Sequence, residues 1–467
     1  MANIRWRITN ELFAIPHNGN FILYAPLKGA VALVNKSAAK WVAKAHSNGE
    51  FEVIPERFVR FKEIGIIEPA RDIITRRNII GPRAMKPFKP TGVIFLVTSF
   101  CNLRCVYCYA SAAADRRHVS LDAAKAAIRL AINNAIDMGE ETVELTFHGG
   151  GEPTTMMPFI KQCVAYAHDV AQNRVAIASS IVTNGYLNDA QIQWLGENMY
   201  SIQISLDGPA SIQNLQRPLA NGGPTFERVV YAIRRFIDMG VPNILIKSTI
   251  SRPITSRMPE IAQFLCETFP ELSRFHFGPV LEFGRSRKTG FGEPDPIEFV
   301  RYGLMAQEVA ASYGKHIIIS AAQETFPHIR REFCGLTEPN FAITVDGHVS
   351  ACYEILEEND PRSVEFHYGK FENGQFRFDS EKIAQLQRRQ EKLAPKCHKC
   401  FARWQCAGDC QIRWYDEDTG NYDDKNDFRC VVNRELVKHK LLKLLEQSRN
   451  SMVSISPKEV SPHSFVD

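Results

Sequence analysis

The octet Cys101-Asn102-Leu103-Arg104-Cys105-Val106-Tyr107-Cys108 follows directly on an apolar run, Val93 to Val97. Three thiols spaced C-x3-C-x2-C, in a loop leaving a strand, suit a metal centre better than a disulfide framework. A 4Fe–4S cube has four iron corners and normally takes four cysteines. Three closely spaced cysteines can hold three corners and leave the fourth iron open, as a catalytic metal site requires. Taken alone, the octet also admits a zinc knuckle or three unrelated core thiols.

The rest of the chain narrows the choice. At 467 residues it is long enough for two to four domains. A hydrophobic fraction of 45% supports a sizeable core, and a net charge of +4 is too small to point to nucleic acid. No apolar run reaches the roughly 20 residues of a membrane helix, and the start Met-Ala-Asn-Ile-Arg-Trp-Arg has no signal-peptide core. Twelve cysteines without an export signal argue for reduced, metal-binding thiols in a cytoplasmic protein.

From Val93 to about Gly314, apolar strands alternate with helical stretches, the rhythm of parallel βα units. Strands are expected at 93–98, 142–147, 175–183, 200–206, 243–250 and 274–279. Ser120 is placed to cap the first long helix and Gly139 to stop it after Met138. The predicted fold class is α/β: six units forming an open, partial (β/α)6 TIM barrel, with chemistry at the C-terminal strand ends. There lie Cys101–Cys108, then His148-Gly149-Gly150-Gly151-Glu152-Pro153, Val182-Thr183-Asn184-Gly185 and Ser205-Leu206-Asp207-Gly208-Pro209. Each glycine-containing piece also reads as ordinary turn chemistry. Cys163 and Cys266 fall inside helical patterns and read as buried thiols.

The last third carries seven further cysteines. Cys334 is separated from Gly347 by twelve residues, and four more residues lead to Cys352. Cys397-x2-Cys400-x5-Cys406-x3-Cys410 follows, then Cys430. Taken alone, the four at 397–410 could form a zinc ribbon.

Together these motifs resemble the radical S-adenosylmethionine (SAM) superfamily and, within it, enzymes carrying a SPASM domain. The resemblance covers about 93–430. It implies that Cys101, Cys105 and Cys108 hold a 4Fe–4S cluster whose open iron binds SAM, which one electron cleaves to a 5′-deoxyadenosyl radical. It further implies a SAM pocket of Tyr107, Gly150, Gly151, Glu152, Asn184, Ser205, Asp207 and Arg217. Ser205 would meet the ribose, with Asp207 supporting that pocket, and Arg217 the carboxylate through its planar fork. Two auxiliary 4Fe–4S clusters are implied, one on Cys397, Cys400, Cys406 and Cys430, the other on Cys334, Cys352 and Cys410. Some relatives complete the latter with an eighth cysteine, and residues 335–351 contain none. Its fourth ligand could be an acidic side chain, water or the substrate.

Residues 1–90 come before these motifs. Strands at 21–24 and 30–34, a helix capped by Ser37 and a second helix at 55–64 loosely resemble the small winged-helix domain that binds leader peptides. A packing extension of the barrel is the plainer alternative. Residues 71–92 read as a linker. The expected division is 1–90 recognition unit and linker, 91–318 radical SAM core, 319–448 SPASM domain and 449–467 a disordered tail.

The resulting expectation is a peptide maturase that forms a thioether or carbon–carbon crosslink in a ribosomally made precursor. A reducing partner such as flavodoxin or ferredoxin would supply the electron. The close competitor is an anaerobic sulfatase-maturing enzyme. A non-catalytic iron–sulfur electron carrier or zinc-binding interaction protein is the competitor from another class, and the glycine-rich loop argues against it. The sequence points to no acid/base residue.

Overall fold

The computed structural model describes residues 4–71, 87–112, 116–319, 328–330, 333–334, 340–389, 395–416, 421–422, 427–448, 451–454 and 459–460. The chain opens with β1 (Trp6–Ile8), β2 (Phe13–His17), β3 (Asn20–Ala25) and β4 (Ala30–Val34), the last three forming an antiparallel meander. A helix over Lys36–Asn48 follows. Its cap is Asn35 rather than the expected Ser37: Asn35 Oδ1 accepts the Ala38 N–H at 2.9 Å, and the Ser37 hydroxyl donates to the same oxygen. The expected helix at 55–64 is split into a 3₁₀ turn over Glu56–Phe58 and a short helix, Val59–Glu63. β5 (Glu50–Phe51) and β6 (Ile67–Pro69) flank β1 in a second small sheet.

Strand alternation gives the meander two apolar faces. Leu23, Ala25, Ala30, Ala32 and Val34 close a small core with Val42, Phe58 and Phe61. Ile15, Ile22, Tyr24 and Val31 pack into the main core of the molecule. Of the expected linker, residues 72–86 lie outside the described residues.

The centre is a run of parallel strands in chain order: β7 (Gly92–Leu96), β8 (Thr142–His148), β9 (Ala176–Thr183), β10 (Ser201–Ser205), β11 (Asn243–Ile250), β12 (Arg274–Pro279) and β13 (His316–Ile319). The first six match the sequence expectation to within two residues. The seventh, only four residues long, carried too little pattern to be read. Ser120 caps the helix Leu121–Met138 through the Ala123 N–H, and Gly139 stops it at φ 72°. Because each crossover steps to the next strand in the same direction, right-handed connections put the helices on one face. Ile204, Ile246 and Phe275 are fully buried on that face. Their neighbours Ser205, Lys247 and His276 point the other way.

The sheet does not stop at β7. After β14 (Ile329–Arg330), β15 (Ala342–Ile343) pairs parallel with β7, and β16 (His348–Ser350), β17 (His367–Glu372) and β18 (Gln375–Phe378) continue antiparallel. The cysteine-rich third is thereby continuous with the central sheet. β19 (Tyr415–Asp416) and β20 (Asn421–Tyr422) form a small pair, and the helix Asp427–Ser448 carries Cys430 in its first turn. The tail, expected to be disordered, contains β21 (Met452–Ser454), antiparallel to β4, and β22 (Glu459–Val460), parallel to β14. No helix among the described residues is long and apolar enough to cross a membrane.

Candidate active site

The cysteine octet is clamped from three sides. The segment 216–220 runs antiparallel beside it: Arg104 N donates to Pro218 O at 2.8 Å, Val106 N to Gln216 O at 2.9 Å and Ala220 N to Asn102 O at 2.9 Å. Arg285 grips it from another side, donating from Nη1 to Cys105 O at 2.7 Å and from Nη2 to Ala112 O at 2.8 Å. Gly284 allows that approach, since a Cβ there would stand 2.3 Å from Tyr109 O.

The glycine loop after β8 forms the third side. Gly151 N donates to Thr98 O and Glu152 N to Phe100 O, both at 2.8 Å. A Cβ on Gly151 would lie 1.9 Å from Phe100 O, so only glycine fits. The Glu152 carboxylate is committed to this scaffold. It accepts from Thr154 N at 3.2 Å, Thr154 Oγ1 at 2.7 Å, Thr183 Oγ1 at 2.6 Å and Asn184 N at 2.7 Å. Asn184 ties the end of β9 to the octet, its Nδ2 donating to Asn102 Oδ1 at 2.8 Å.

Tyr107, Asp207 and Arg217 form one buried network. The Tyr107 hydroxyl donates to Asp207 Oδ2 at 2.6 Å and accepts from Arg217 Nη1 at 2.7 Å. Asp207 also accepts from Gln216 Nε2 at 2.8 Å and Thr249 N at 3.0 Å. Burial works against the Arg217 cation, but Cys105, Tyr107 and Asp207 outweigh it and hold its pKa above the usual value. One donor is left over: Arg217 Nε is buried without a hydrogen-bond partner among the described residues. Ser205, at the end of β10, has no hydrogen-bond partner for its hydroxyl among the described residues.

All twelve cysteines are free thiols. Their mutual electrostatic effects sort nine of them into groups. Cys101 feels Cys105 and Cys108, and burial first, then Glu152 and these neighbours, push its thiol up to about 12. Cys105 rises to about 11, again chiefly through burial. Cys352 feels Cys410 and Cys334. Cys406 feels Cys430 and Cys400, with Cys397 one turn before Cys400. Among the described residues, no three His, Cys, Asp or Glu side chains converge on the position of a single metal ion. Between Cys406 and Cys410 the backbone takes three successive left-handed residues, Ala407 (φ 51°), Gly408 (φ 84°) and Asp409 (φ 61°). Asn433 Nδ2 donates to Cys406 Sγ at 3.3 Å and to Asp409 Oδ2 at 2.6 Å. Cys163 and Cys266 are buried in helices, as expected.

With this geometry in place, residues 95–265 match the family model of the Radical SAM superfamily. The chain carries a Radical SAM domain. Among curated relatives, the cysteine-type anaerobic sulfatase-maturating enzyme of Clostridium perfringens is 27% identical over 146 residues, 30% of this chain and 38% of that protein. The chain thus aligns with well under half the length of that relative. The serine-type anaerobic sulfatase-maturating enzyme of Klebsiella aerogenes is 24% identical over 348 residues, 70% of this chain and 81% of that protein. Among solved structures, native anSMEcpe with bound AdoMet superposes with TM-score 0.60 and 18% identity, covering 77% of this chain and 99% of that one. Streptococcus suis SuiB bound to precursor peptide SuiA gives TM-score 0.53 and 15% identity, covering 91% and 99%. At these identities the structures establish a shared α/β fold.

Beside the Radical SAM domain's expected residues lie several that the sequence reading missed. Arg285 and Gly284 carried no pattern. Lys247 did: it interrupts the apolar strand Ile244-Leu245-Ile246 at a position facing away from the helices. His148 and His276 share that side, and burial lowers their pKa values to about 4 and about 3. Glu354, two residues after Cys352, exerts its charge on Cys352, Cys410, His148 and Lys247. Its carboxylate pairs with Arg413.

Proposed function

We propose that this chain is a radical SAM/SPASM enzyme that modifies a peptide or protein. Residues 91–318 would be an open, partial (β/α)6 barrel, 319–448 a twin-cluster SPASM domain, 449–467 a tail, and 1–90 a peptide-recognition unit with its linker. The observation that carries the reading is the meeting of the octet, the Gly151 turn and Arg217 at one end of the parallel sheet.

The donor sets fit the implied groups. Cys101, Cys105 and Cys108 would hold the SAM-binding 4Fe–4S cluster. Burial disfavours the free thiolates of Cys101 and Cys105, and bound iron would stabilise them. The buried, unpartnered Arg217 Nε suits a carboxylate oxygen of SAM, and the open Ser205 hydroxyl suits its ribose. Gly150 and Gly151 would bring backbone close to its methionine end. Glu152, Asn184 and Asp207 would act by holding these parts in place, and Tyr107 by orienting Arg217. Cys397, Cys400, Cys406 and Cys430 would hold one auxiliary cluster, Cys334, Cys352 and Cys410 the other. Bound together, SAM and the open cluster supply one-electron cleavage to a radical that takes a carbon-bound hydrogen. The protein orients the partners and excludes water.

A precursor-peptide substrate is favoured over a sulfatase by the N-terminal unit: the likeness to peptide-bound SuiB extends over 91% of this chain, that to anSMEcpe over 77%. The sulfatase-maturing reading stands beside it, since the curated relatives reported above carry that name.

The test is anoxic reconstitution followed by iron counting and reduction with dithionite. About twelve irons per chain and 5′-deoxyadenosine formed from SAM are expected. A chain that takes up iron but cleaves no SAM overturns the reading. Cys- and Ser-type sulfatase peptides, set against short precursors encoded beside this gene, separate the two substrate classes.

A further inference from the structure

We propose that Lys247 is the receptor for a carboxylate of the substrate, in a site it forms with His276 on the open face of the parallel sheet, beside the Ser205 position proposed for SAM. The proposal rests on the radical SAM reading and adds a substrate class to it. Ser205 pairs in register with Lys247, and Lys247 with His276, across β10, β11 and β12. Paired residues of neighbouring parallel strands point to the same face, about 4.8 Å apart laterally. That face is opposite the one where Ile204, Ile246 and Phe275 meet the helices. Ser205 ends β10, at the end of the sheet that carries the octet, and Lys247 and His276 lie mid-strand in β11 and β12.

Lys247 is half-buried on this face. Its ammonium makes no hydrogen bond and no ion pair among the described residues. Burial lowers its pKa, Arg217 adds to that, and Glu354 opposes it from a distance. Glu354 is itself held by Arg413, so the nearest carboxylate is already matched. Close by, His148 accepts the Gly149 N–H on Nδ1 at 2.9 Å, which leaves the proton of its neutral ring on Nε2 as a donor. A cation without a contacting anion among the described residues, flanked by neutral imidazoles, makes a receptor for one negative charge. Two carboxylates could reach it: that of SAM and one from an acidic residue or chain end of the substrate. The substrate is favoured because the unpartnered Arg217 Nε, beside Cys105, already offers SAM a donor. Lys247 also feels Glu354, on the side of Cys352 and Cys410.

The experiment uses the anoxically reconstituted full chain saturated with SAM. Binding of N-acetyl-aspartate amide and N-acetyl-asparagine amide is measured by saturation-transfer NMR for the wild type, Lys247→Arg and Lys247→Met. The aspartate probe should bind saturably to the wild type and within a few-fold as well to Lys247→Arg. Lys247→Met should weaken it at least tenfold, and the asparagine probe should bind weakly throughout. Equal binding of both probes, or no loss in Lys247→Met, overturns the proposal. A tenfold rise in the SAM dissociation constant of Lys247→Met, with probe binding unchanged, reassigns the lysine to SAM and also overturns it. SAM binding to the wild type, measured on the same samples, reports separately on the radical SAM reading.

Discussion

Tyr107 and Arg217 stand 110 residues apart in sequence and are joined by a 2.7 Å hydrogen bond from the guanidinium to the phenol. Through it the cysteine octet is coupled to the segment after Asp207. Arg217→Met removes a charged donor from the proposed SAM carboxylate. SAM binding should weaken roughly 10- to 100-fold, as expected for a lost charge-assisted hydrogen bond of about 1.5–3 kcal/mol. Equilibrium dialysis of the reconstituted chain checks this, with iron content expected to hold. Tyr107→Phe leaves Arg217 Nη1 without an acceptor, at about 1–3 kcal/mol of stability in urea unfolding.

Gly151→Ala is predicted to separate the octet from the loop after β8. The new methyl would sit 1.9 Å from a backbone oxygen, which cannot swing aside as a flexible side chain could. Stability should fall by several kcal/mol, on the order of other overpacked sites, and 5′-deoxyadenosine formation should be lost. A variant that still cleaves SAM at the wild-type rate would refute the close approach.

Changing Cys101, Cys105 and Cys108 together to Ala should abolish SAM cleavage and lower iron from about twelve to about eight per chain. Six of the remaining thiols form separate groups around Cys352 and Cys406. Iron loss well beyond a third would show that the groups depend on each other.

Glu11 ties the N-terminal unit to the cysteine-rich region, accepting from Arg403 and, at 2.7 Å, from Trp404 Nε1. Gln405 adds a 2.9 Å hydrogen bond to the Tyr24 hydroxyl. Removal of the N-terminal unit would therefore expose core and strip support from Cys406. Glu11→Ala should cost about 1–3 kcal/mol and speed chelator extraction of iron. Extraction at the wild-type rate would show that the contact does not support Cys406.

Acid should destabilise the fold before carboxylates titrate. His148, His276 and His367 have folded pKa values of about 4, about 3 and about 4, against 6.5 when free. Burial keeps all three neutral, so the unfolded chain binds more protons between about pH 4 and 6.5. Stability is full above pH 6.5 and falls as pH drops through that window. His276→Phe should flatten the decline, read as the Tm difference between variant and wild type at pH 7.5 and 5.5. The comparison cancels acid lability shared by both.

The parallel strands and the octet were legible because apolar strands and close thiol spacing are local signals. Ser120 and Gly139 were legible for the same reason, since a cap is a matter of one turn. The Asn35 cap was missed because two residues separated by one position, Asn35 and Ser37, both had the chemistry, and only geometry chose. β15 to β18 were unreadable as part of the central sheet: two-residue Ala342–Ile343 gains its place only by pairing with β7, some 250 residues earlier in the chain. Arg285 acts on Cys105 through its backbone carbonyl, and no spacing rule records such a contact. Lys247 could have been found from strand parity, by asking which polar residue of a buried strand faces away from the helices.

The pairing of β21 with β4 has a bearing on guest peptides. Met452–Ser454 already occupies one border of the meander, and at the other border Pro16 in β2 lacks the N–H that a newcomer would need. A leader that docks by strand addition on β4 must therefore evict Met452–Ser454. Its affinity is set by a competition rather than by a vacant edge, and a chain ended at Ser451 should hold such a peptide more tightly than the full-length one.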